Sequence, residues 1–421
     1  MKTTAGTSSG TSRQVVVTGM GIVSPIGTSV PQFRDNLFAG QTGIAQIQSL
    51  DTTGFRTQLG AEIRDFDFSQ YVTRPEINQL DRLSLLAIAA ADEAIGDAGL
   101  NLDVDRSELG VTMGTGLGPS SSIEDAVLRA SRNQRLRPAT LLKIMLNSPA
   151  AALCARYQCR EISHVHVTAC AAAAHAIAQA ADYIRRGELE LCLAGGSDAF
   201  PSRTLFAAWD ALGVMTPDND NPGRAVRPFS ADRNGFVVGE AAAVLVLESR
   251  ERAIARGARI HAEFGGSGSC SHTPSLTRPS VEGMAFSMSR ALQAANVDMS
   301  EPGYINAHGT ATELNDLLET QAFHQVFGDH SQALRISSTK AAHGHTMGAS
   351  GAVESVATIL AMNLGLAPPT LNLRQADPAC DLDYTPNEAR SMDCSWAASN
   401  SFAFGGHYVS LVFKRGSHPG S

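Results

Sequence analysis

A single cysteine, Cys170, stands where the sequence could place a nucleophile. It follows a β-branched stretch at 164–168, which predicts a strand, and precedes an alanine-rich stretch at 171–186, which predicts a helix. A helix N-terminus presents free N–H groups and about half a positive charge, so we expect a thiol there to favour its thiolate. A lone cysteine is otherwise commonly a small buried apolar residue, and residues further along the chain decide between the two interpretations.

Two histidines in the second half of the chain favour the chemical interpretation. His308 follows a predicted strand at 304–307, and His345 comes after another predicted strand that ends at Ser338. A glycine-rich turn at 400–406 lies between the last two predicted strands. Open α/β sheets place their sites just beyond the C-terminal ends of strands. A lone histidine there is commonly structural, but one cysteine and two histidines that meet in a fold could transfer an acyl group between thiols.

The composition is that of an ordinary globular chain and excludes several function classes. The 421 residues carry a formal net charge of −8, which argues against nucleic-acid binding and leaves an acidic partner dependent on a local basic patch. The seven cysteines are irregularly spaced, which predicts neither a disulfide framework nor a metal site and fits a reducing, cytoplasmic location. No apolar run approaches the roughly 20 residues of a membrane span.

Predicted strands alternate with predicted helices, which indicates an α/β protein made of two similar halves. We expect a tail at 1–13, an N-terminal half at 14–255 with the cysteine, a C-terminal half at 256–414 with the histidines, and a tail at 415–421. Helices are predicted at 30–39, 80–99, 138–155, 171–186, 282–295 and 348–363, and a further one from 313. Strands are predicted at 15–17, 109–113, 164–168, 189–194, 241–248, 304–307, 395–400 and 408–413, with others from 262 and up to 338.

Six motifs, taken in order, give the chain a resemblance to a known family. They are VTAC at 167–170, RPFSADRNGFVVGE at 227–240, NAHGTAT at 306–312, SSTKAAHGH at 337–345, GASGAVES at 348–355 and NSFAFGG at 400–406. Together they resemble the elongating β-ketoacyl-acyl-carrier-protein synthases, the type II condensing enzymes of the thiolase superfamily. The first half is similar to the branch that holds nodulation-type and specialised-metabolite ketosynthases. The resemblance implies a duplicated, five-layered αβαβα fold and usually a homodimer.

The resemblance also implies a role for each residue of the centre. Cys170 matches the nucleophile that takes an acyl chain from a carrier protein, and its backbone N–H, with that of Phe404, matches the oxyanion hole. His308 and His345 match the pair that binds the carbonyl of a malonyl thioester, so that carbon dioxide leaves and the carbanion attacks the acyl-cysteine. Lys340 matches the lysine that sets the electrostatics around the histidines.

Further residues match family positions around this centre. Glu354, Asp316 and Glu319 match acidic residues that support the site from behind, with Glu354 as the expected partner of the lysine. Thr310 and Thr312 match residues that hydrogen-bond the phosphopantetheine arm of a carrier protein. The resemblance implies substrates carried on that arm, with no other cofactor and no metal.

The region of the expected gate departs from the family pattern. Phe404 matches an aromatic gate that swings when the cysteine is acylated. His407 and Tyr408 stand where Thr-Asn is usual, residues 272–275 read His-Thr-Pro-Ser in place of Asp-Ala-Tyr-His, and Ala173 replaces a common glycine. These changes predict an unusual acyl substrate or carrier. Five arginines are candidates for docking an acidic carrier protein: Arg74, Arg132, Arg135, Arg137 and Arg224.

Three other functions stay open at the level of sequence. An acyltransferase of the same fold would keep the acyl-cysteine and form an ester or amide, but the presence of both histidines favours condensation. A non-catalytic subunit that sets chain length for a partner ketosynthase typically lacks the cysteine, which is present here. A thiolase that uses coenzyme A is disfavoured by the NAHGTAT motif, the FGG turn and the second histidine. A heterodimer with a related subunit is the alternative to a homodimer.

Overall fold

The computed structural model describes residues 13–416, and a ten-stranded sheet runs through their centre. Most of these strands are nearly continuous runs of buried apolar residues, as expected for strands covered on both faces. In chain order the ten strands of this sheet are β1 (Val15–Val23), β4 (Leu109–Gly114), β5 (Ser163–His166), β6 (Leu191–Asp198), β7 (Ala241–Ser249), β8 (Ala262–Ser271), β9 (Gly303–Asn306), β10 (Arg335–Ser337), β13 (Trp396–Ala403) and β14 (His407–Lys414). Two small sheets of two strands each contain β2 (Ala45–Gln46) with β3 (Leu59–Gly60) and β11 (Leu366–Ala367) with β12 (Arg390–Ser391).

Helices cover the sheet and connect its strands. Many begin at a Ser, Thr, Asp or Asn cap, and several end at a glycine in the left-handed region, such as Gly99 after α3. The helices are α1 (Val30–Phe38), α2 (Arg74–Gln79), α3 (Arg82–Ala98), α4 (Leu102–Asp105), α5 (Ser120–Ser131), α6 (Thr140–Ile144), α7 (Ser148–Tyr157), α8 (Ala172–Arg185), α9 (Arg203–Leu212), α10 (Arg250–Ala255), α11 (Val281–Ala294), α12 (Glu313–Phe327), α13 (Lys340–His343) and α14 (Ser350–Leu364).

The large sheet consists of two five-stranded units with the same topology. One unit has the order β1-β7-β6-β4-β5 and the other β8-β14-β13-β9-β10. In each, the first two pairings are antiparallel and the last two are parallel. Within the described residues, the only strand pairing between the two units joins Val16 and Val17 of β1 to β8. This repeat confirms the predicted duplicated α/β fold, while the predicted boundary at 255 falls at the end of α10 and stays a prediction.

Three layers of helices enclose the two units, which gives the five layers αβαβα. Helices α3 and α7 pack on the outer face of the first unit, α11 and α12 on the outer face of the second, and α8 and α14 lie between them. The inner helices touch closely because their facing residues are small. A Cβ atom on Gly351 of α14 would lie 2.6 Å from the backbone nitrogen of Ala174 in α8. The alanine-rich sequence of α8 therefore serves close packing.

Most of the predicted helices and strands are confirmed within about two residues, and one predicted helix is wrong. The helix predicted at 138–155 is two helices, α6 and α7, interrupted at 145–147. Pro149 lies in the first turn of α7 and has no N–H to donate, so a continuous helix cannot pass through it. Helices α5 and α9 were not predicted, although both carry apolar residues at helical spacing, such as Ile123 and Val127 in α5 and Leu205 and Trp209 in α9.

The predicted tails lie mostly outside the described residues, which exclude 1–12 and 417–421. Arg13, placed in the N-terminal tail by the sequence, forms an ion pair with Glu190. Within residues 13–416, no helix has the length and apolar character needed to cross a bilayer.

Candidate active site

Cys170 lies on a strained turn between a strand and a helix. Strand β5 ends at His166, Ala169 takes a φ of 48°, and a 3₁₀ turn over Ala169–Ala171 leads directly into α8. A left-handed conformation costs a non-glycine residue energy, and such strain is typical of functional turns. The turn presents the Cys170 side chain, which is only 7% exposed, to a partly open cavity of about 160 Å³.

The two histidines from the second half line the same cavity. His308 lies in the loop after β9 and His345 in the loop after α13, and both residues line the cavity. Their ring centroids lie 5.5 Å apart and the rings are nearly perpendicular, at 84°. The structure therefore brings together the thiol and both imidazoles, as the sequence predicted, although 137 residues lie between Cys170 and His308 in the chain.

Hydrogen bonds to the backbone fix the loops that carry the histidines. The Glu319 carboxylate accepts hydrogen bonds from the N–H groups of His308 and Gly309, both at 2.8 Å. The Met347 N–H donates to Nδ1 of His345 at 3.1 Å. Because Nδ1 of His345 accepts this bond, the proton of the neutral ring is on Nε2. His345 can therefore donate an Nε2 hydrogen bond to a ligand.

Both histidines are held in their neutral form. Burial lowers the pKa values of His308 and His345 well below 6.5, and the nearby charge of Lys340 lowers them further. Nδ1 of His308 is buried and has no hydrogen-bond partner among residues 13–416. Two neutral imidazoles at this spacing can act as hydrogen-bond donors to one oxygen atom.

Lys340 forms a fully buried ion pair with Glu354 of α14, the partner that the sequence predicted. Burial raises the pKa of Glu354 to about 7, and the lysine opposes that rise. Lys340 does not line the cavity, yet its charge lowers the pKa values of His308, His345 and Cys170 alike. It is thus placed to act on the site through its electric field.

The thiol itself behaves differently from the sequence prediction. We expected the helix N-terminus to favour the thiolate, an effect of about 1 kcal/mol or less in most helices. Burial raises the pKa of Cys170 to about 12, although Lys340 opposes the rise. Since desolvation shifts pKa values by several units and a helix terminus by about one, burial prevails and the free site holds a thiol.

A glycine turn carries the expected gate. Phe404 precedes Gly405 and Gly406, whose φ values of 81° and 73° require glycine. The turn is joined to the facing loop because Gly405 N–H donates to the Leu276 carbonyl at 2.8 Å and Thr273 Oγ1 donates to the Gly405 carbonyl at 2.7 Å. No hydrogen-bond acceptor is found for the Phe404 N–H within residues 13–416, so it is free to bind an oxyanion.

These features decide the family. A family model for the N-terminal domain of β-ketoacyl synthases matches residues 12–253, and a model for the C-terminal domain matches 261–374. The chain belongs to the β-ketoacyl synthase family.

Curated relatives and solved structures agree with that assignment over nearly the whole chain. This family member is 36% identical over 408 residues to 3-oxoacyl-(acyl-carrier-protein) synthase 2 of Synechocystis sp., covering 96% of the chain and 98% of the relative. It is 40% identical over 412 residues to nodulation protein E of Rhizobium sp. strain N33, covering 96% and 99%. The solved ishigamide ketosynthase/chain length factor matches with a TM-score of 0.91 at 36% identity, covering 97% of the chain and 100% of that structure.

Other predicted residues of this β-ketoacyl synthase family member occupy distinct places. Thr310 and Thr312 line the cavity, and their hydroxyl groups lie 2.9 Å apart. Asp316 lies behind it, accepts a hydrogen bond from Phe229 N–H at 2.8 Å and faces Arg233 at 4.0 Å. The docking candidates do not line the cavity and are all exposed: Arg74, Arg132, Arg135, Arg137 and Arg224.

The structure adds lining residues that sequence reasoning missed. Trp209 of α9 and Phe236 form one wall, and the segment 276–279 forms part of the mouth. Among the lining residues in the described range 13–416, Arg278 in that segment is the only Lys, Arg, Asp or Glu. Phe236 lies in the motif at 227–240, which gave it no role, and Trp209 and the segment 276–279 lie outside all six motifs, so only the folded chain identifies them as lining residues.

Proposed function

We propose that this family member is a 3-oxoacyl-(acyl-carrier-protein) synthase of fatty acid or polyketide biosynthesis. It would join an acyl group held on Cys170 to the carbanion of a decarboxylated malonyl-carrier protein. The observation that carries the proposal is the shared cavity, which one thiol and two neutral imidazoles line together. A thioester-forming nucleophile and a pair of oxygen-binding donors are the two parts that this reaction needs.

In the first half-reaction, Cys170 takes the acyl chain. The thiol attacks the thioester carbonyl, the bond to the carrier sulfur breaks, and the thiol proton leaves with the carrier as its free thiol. The N–H groups of Cys170 and Phe404 would hold the oxyanion, an interaction worth about 3–4 kcal/mol per donor in other enzymes. The free Phe404 N–H supports this assignment.

In the second half-reaction, the histidines act on the malonyl thioester. Their Nε2–H groups would bind its carbonyl oxygen while the bond between the methylene carbon and the carboxylate breaks and carbon dioxide leaves. The resulting carbanion attacks the acyl carbonyl, and Cys170 departs with the electron pair of its thioester bond and recovers a proton. The neutral state of His308 and His345 supports donation of hydrogen bonds in this step. Lys340, paired with Glu354, would stabilise the developing negative charge from behind.

The cavity mouth supports entry of a carrier-bound substrate. The paired hydroxyl groups of Thr310 and Thr312 offer polar contacts in a mainly apolar cavity, which suits the amide groups of a phosphopantetheine arm. The exposed arginines named above would meet an acidic carrier protein by charge attraction on the outer surface. The ketosynthase of a type II polyketide system solved with its acyl-carrier protein, AntDE:AntF, matches this chain with a TM-score of 0.88 at 30% identity.

An apolar surface supports a dimer. Helix α5, helix α6 and the segments beside them expose seven large apolar side chains: Ile123, Val127, Leu128, Leu136, Leu141, Leu142 and Leu146. Strand β5 lies at the edge of the sheet, and an open edge pairs readily with another chain. We propose that a second copy covers this surface. Light scattering should give twice the mass of one chain, and Leu141→Glu with Leu142→Glu should give a monomer. A monomeric wild type that pairs only with a related ketosynthase subunit would contradict the homodimer.

The enzymatic proposal is tested by following both half-reactions separately. Hexanoyl-acyl-carrier protein should add a hexanoyl mass to the wild type, and labelled malonyl-acyl-carrier protein should then release carbon dioxide with formation of the 3-oxoacyl product. Cys170→Ala should abolish the mass increase, whereas Cys192→Ala, which removes a buried cysteine outside the cavity, should keep it. Acylation without carbon dioxide release would favour an ester- or amide-forming acyltransferase, and absence of acylation would overturn the proposal.

A further inference from the structure

The gate ring stacks against a tryptophan that no motif announced. Phe404 and Trp209 lie with ring centroids 5.9 Å apart and planes inclined by 20°, and both line the cavity beside Cys170. We propose that Trp209 is the clamp that holds Phe404 closed until Cys170 carries an acyl chain. This makes Trp209 a positioning residue that sets the order of the two half-reactions, and the inference rests on the condensing function proposed above.

Of the two stacked rings, Trp209 is the fixed one. Its helix α9 begins at the Ser202 cap and ends at Gly213, which takes a left-handed conformation. The next residue, Asp210, accepts hydrogen bonds from the backbone N–H groups of Arg56 and Thr57 at 3.1 and 2.9 Å. The helix is thereby fastened at both ends and from its side. The Trp209 ring can therefore keep its position when the Phe404 ring that stacks on it moves.

Phe404 is the ring that moves, and its motion is a side-chain rotation. Its turn contains two glycines with positive φ, but hydrogen bonds at Gly405 tie the turn's backbone to the facing loop. The backbone is therefore held while the ring pivots about its own side-chain bonds. An acyl chain on Cys170 needs space inside the cavity that Phe404 lines, so acylation and the stacked position compete. The stack resists opening until the acyl group displaces the ring.

A series of ring contacts connects Trp209 to His345, which acts in the second half-reaction. The ring centroids of Trp209 and Phe236 lie 5.8 Å apart, and those of Phe236 and His345 lie 5.1 Å apart, both in an edge-to-face arrangement. Trp209 is thus packed against a ring that in turn packs against a histidine. A weakened clamp would let the malonyl thioester reach the histidines before Cys170 is acylated.

Premature entry has a defined chemical product. With no acyl-cysteine present, the malonyl thioester loses carbon dioxide by cleavage of the bond to its carboxylate, and the electron pair stays on the methylene carbon. That carbon takes a proton from water and gives an acetyl thioester, so carbon dioxide appears without a condensation product. Aromatic stacks contribute enough to change an opening equilibrium by about 2- to 12-fold.

Tryptophan emission provides a direct test of the clamp. The chain has two tryptophans, and the other, Trp396, is buried far along the chain and stacks on Phe327 at 6.1 Å. In a Trp396→Phe background, acylation by hexanoyl-acyl-carrier protein should shift the Trp209 emission to longer wavelength, because the indole face loses its cover. The matched Trp209→Phe variant should show no such shift. Unchanged Trp209 emission in protein that is fully acylated by mass would overturn the inference, while absent acylation would overturn the proposed function instead.

Carbon dioxide release without an acyl donor provides the second test. Incubated with malonyl-acyl-carrier protein alone, Trp209→Ala should release carbon dioxide about 2- to 12-fold faster than wild type, and Trp209→Phe should rise less because it keeps a stacked ring. A purely structural role would lower the unfolding temperature without changing the ratio of carbon dioxide to condensation product. Equal unprimed release by wild type and both folded variants would overturn the clamp, even with condensation intact.

Discussion

The two halves of the molecule build the same turn and place different residues in it. In the N-terminal half Ala169, at a φ of 48°, opens the 3₁₀ turn that leads into α8. In the C-terminal half Met347, also at 48°, opens the 3₁₀ turn that leads into α14. The next residue is Cys170 in the first turn and Gly348 in the second. One backbone arrangement thus carries a thiol in one half and no side chain in the other.

The difference arises from what each turn faces. Gly348 N–H donates to the Asp198 carboxylate at 2.6 Å, and a Cβ atom on Gly348 would lie 2.7 Å from that carboxylate and overlap the Gly116 backbone. The same carboxylate accepts the N–H groups of Gly116 and Leu117. The second turn is therefore locked into the first half, while the Cys170 turn opens into the cavity. Duplication supplied two equivalent positions, and packing left room for chemistry at only one.

The largest expected effect comes from adding a side chain to the closed turn. Gly348→Ala must displace the Gly116 backbone, so we expect it to lower the free energy of unfolding by at least about 3 kcal/mol. Cys170→Ala removes one sulfur from a turn that faces open space and should cost about 1 kcal/mol. Thermal unfolding followed by circular dichroism compares the two variants under one condition. Equal unfolding temperatures for Gly348→Ala and wild type would show that the turns are not differently constrained.

The next effect concerns the histidine loop of the second half. Glu319→Gln replaces one carboxylate oxygen with an NH2 group, which cannot accept the N–H of His308 or Gly309. The resulting shift of His308 should slow carbon dioxide release by about 10- to 100-fold, since small displacements of catalytic groups cost that much. Acylation of Cys170 should proceed at the wild-type rate, because Glu319 bonds neither Cys170 nor Phe404, the two residues assigned to that step. Equal losses in both half-reactions would mean that Glu319 does not act through the His308 loop alone.

The same division explains what sequence reasoning could reach. Cys170, His308, His345 and Lys340 lie in short motifs next to strands, and the alternation of strands and helices predicted the duplicated α/β fold. Local sequence carries both signals, because packing alone does not readily explain several polar or glycine-rich turns that each follow a buried strand.

Other features depended on tertiary packing and could not be predicted. The thiol of Cys170 is protonated because of burial, which no local pattern reports. Trp209 reaches the gate from α9, a helix without a motif, and its partner is nearly two hundred residues away in the sequence. The interruption before α7 follows from Pro149, which was visible but outweighed by the helix-forming residues around it.

Reactivity of the open turn gives the third prediction. With a pKa of about 12, the thiolate fraction of Cys170 should rise tenfold for each pH unit from 6 to 10. Alkylation by iodoacetamide, followed by mass spectrometry of the Cys170 peptide, should show that slope without a plateau. A small model thiol levels off above its pKa of about 8.5 under the same conditions. A plateau near neutral pH for Cys170 would instead support the thiolate that the helix N-terminus suggested.

The smallest expected effect distinguishes the hydroxyl groups of Thr310 and Thr312, which line the cavity, from the hydroxyl group of Thr115 in the other half. Thr115 follows β4 and donates to Asp198 at 2.5 Å, whereas Thr310 and Thr312, in the loop that follows β9, bond to each other at 2.9 Å. Thr115→Val should therefore leave a buried carboxylate short of a donor and lower the free energy of unfolding by about 1–3 kcal/mol. The double variant Thr310→Val with Thr312→Val should keep the wild-type unfolding temperature.

That double variant should instead raise the KM for malonyl-acyl-carrier protein by about 2- to 12-fold, the effect of removing one or two modest hydrogen bonds to a ligand. Steady-state kinetics and thermal unfolding on the same preparations separate the two outcomes. A rise in KM for Thr115→Val, or a loss of stability for the double variant, would contradict the division. The loops that follow β4 and β9 would then serve the same purpose in both halves, and the hydroxyl groups of Thr310 and Thr312 would contribute to the stability of the fold.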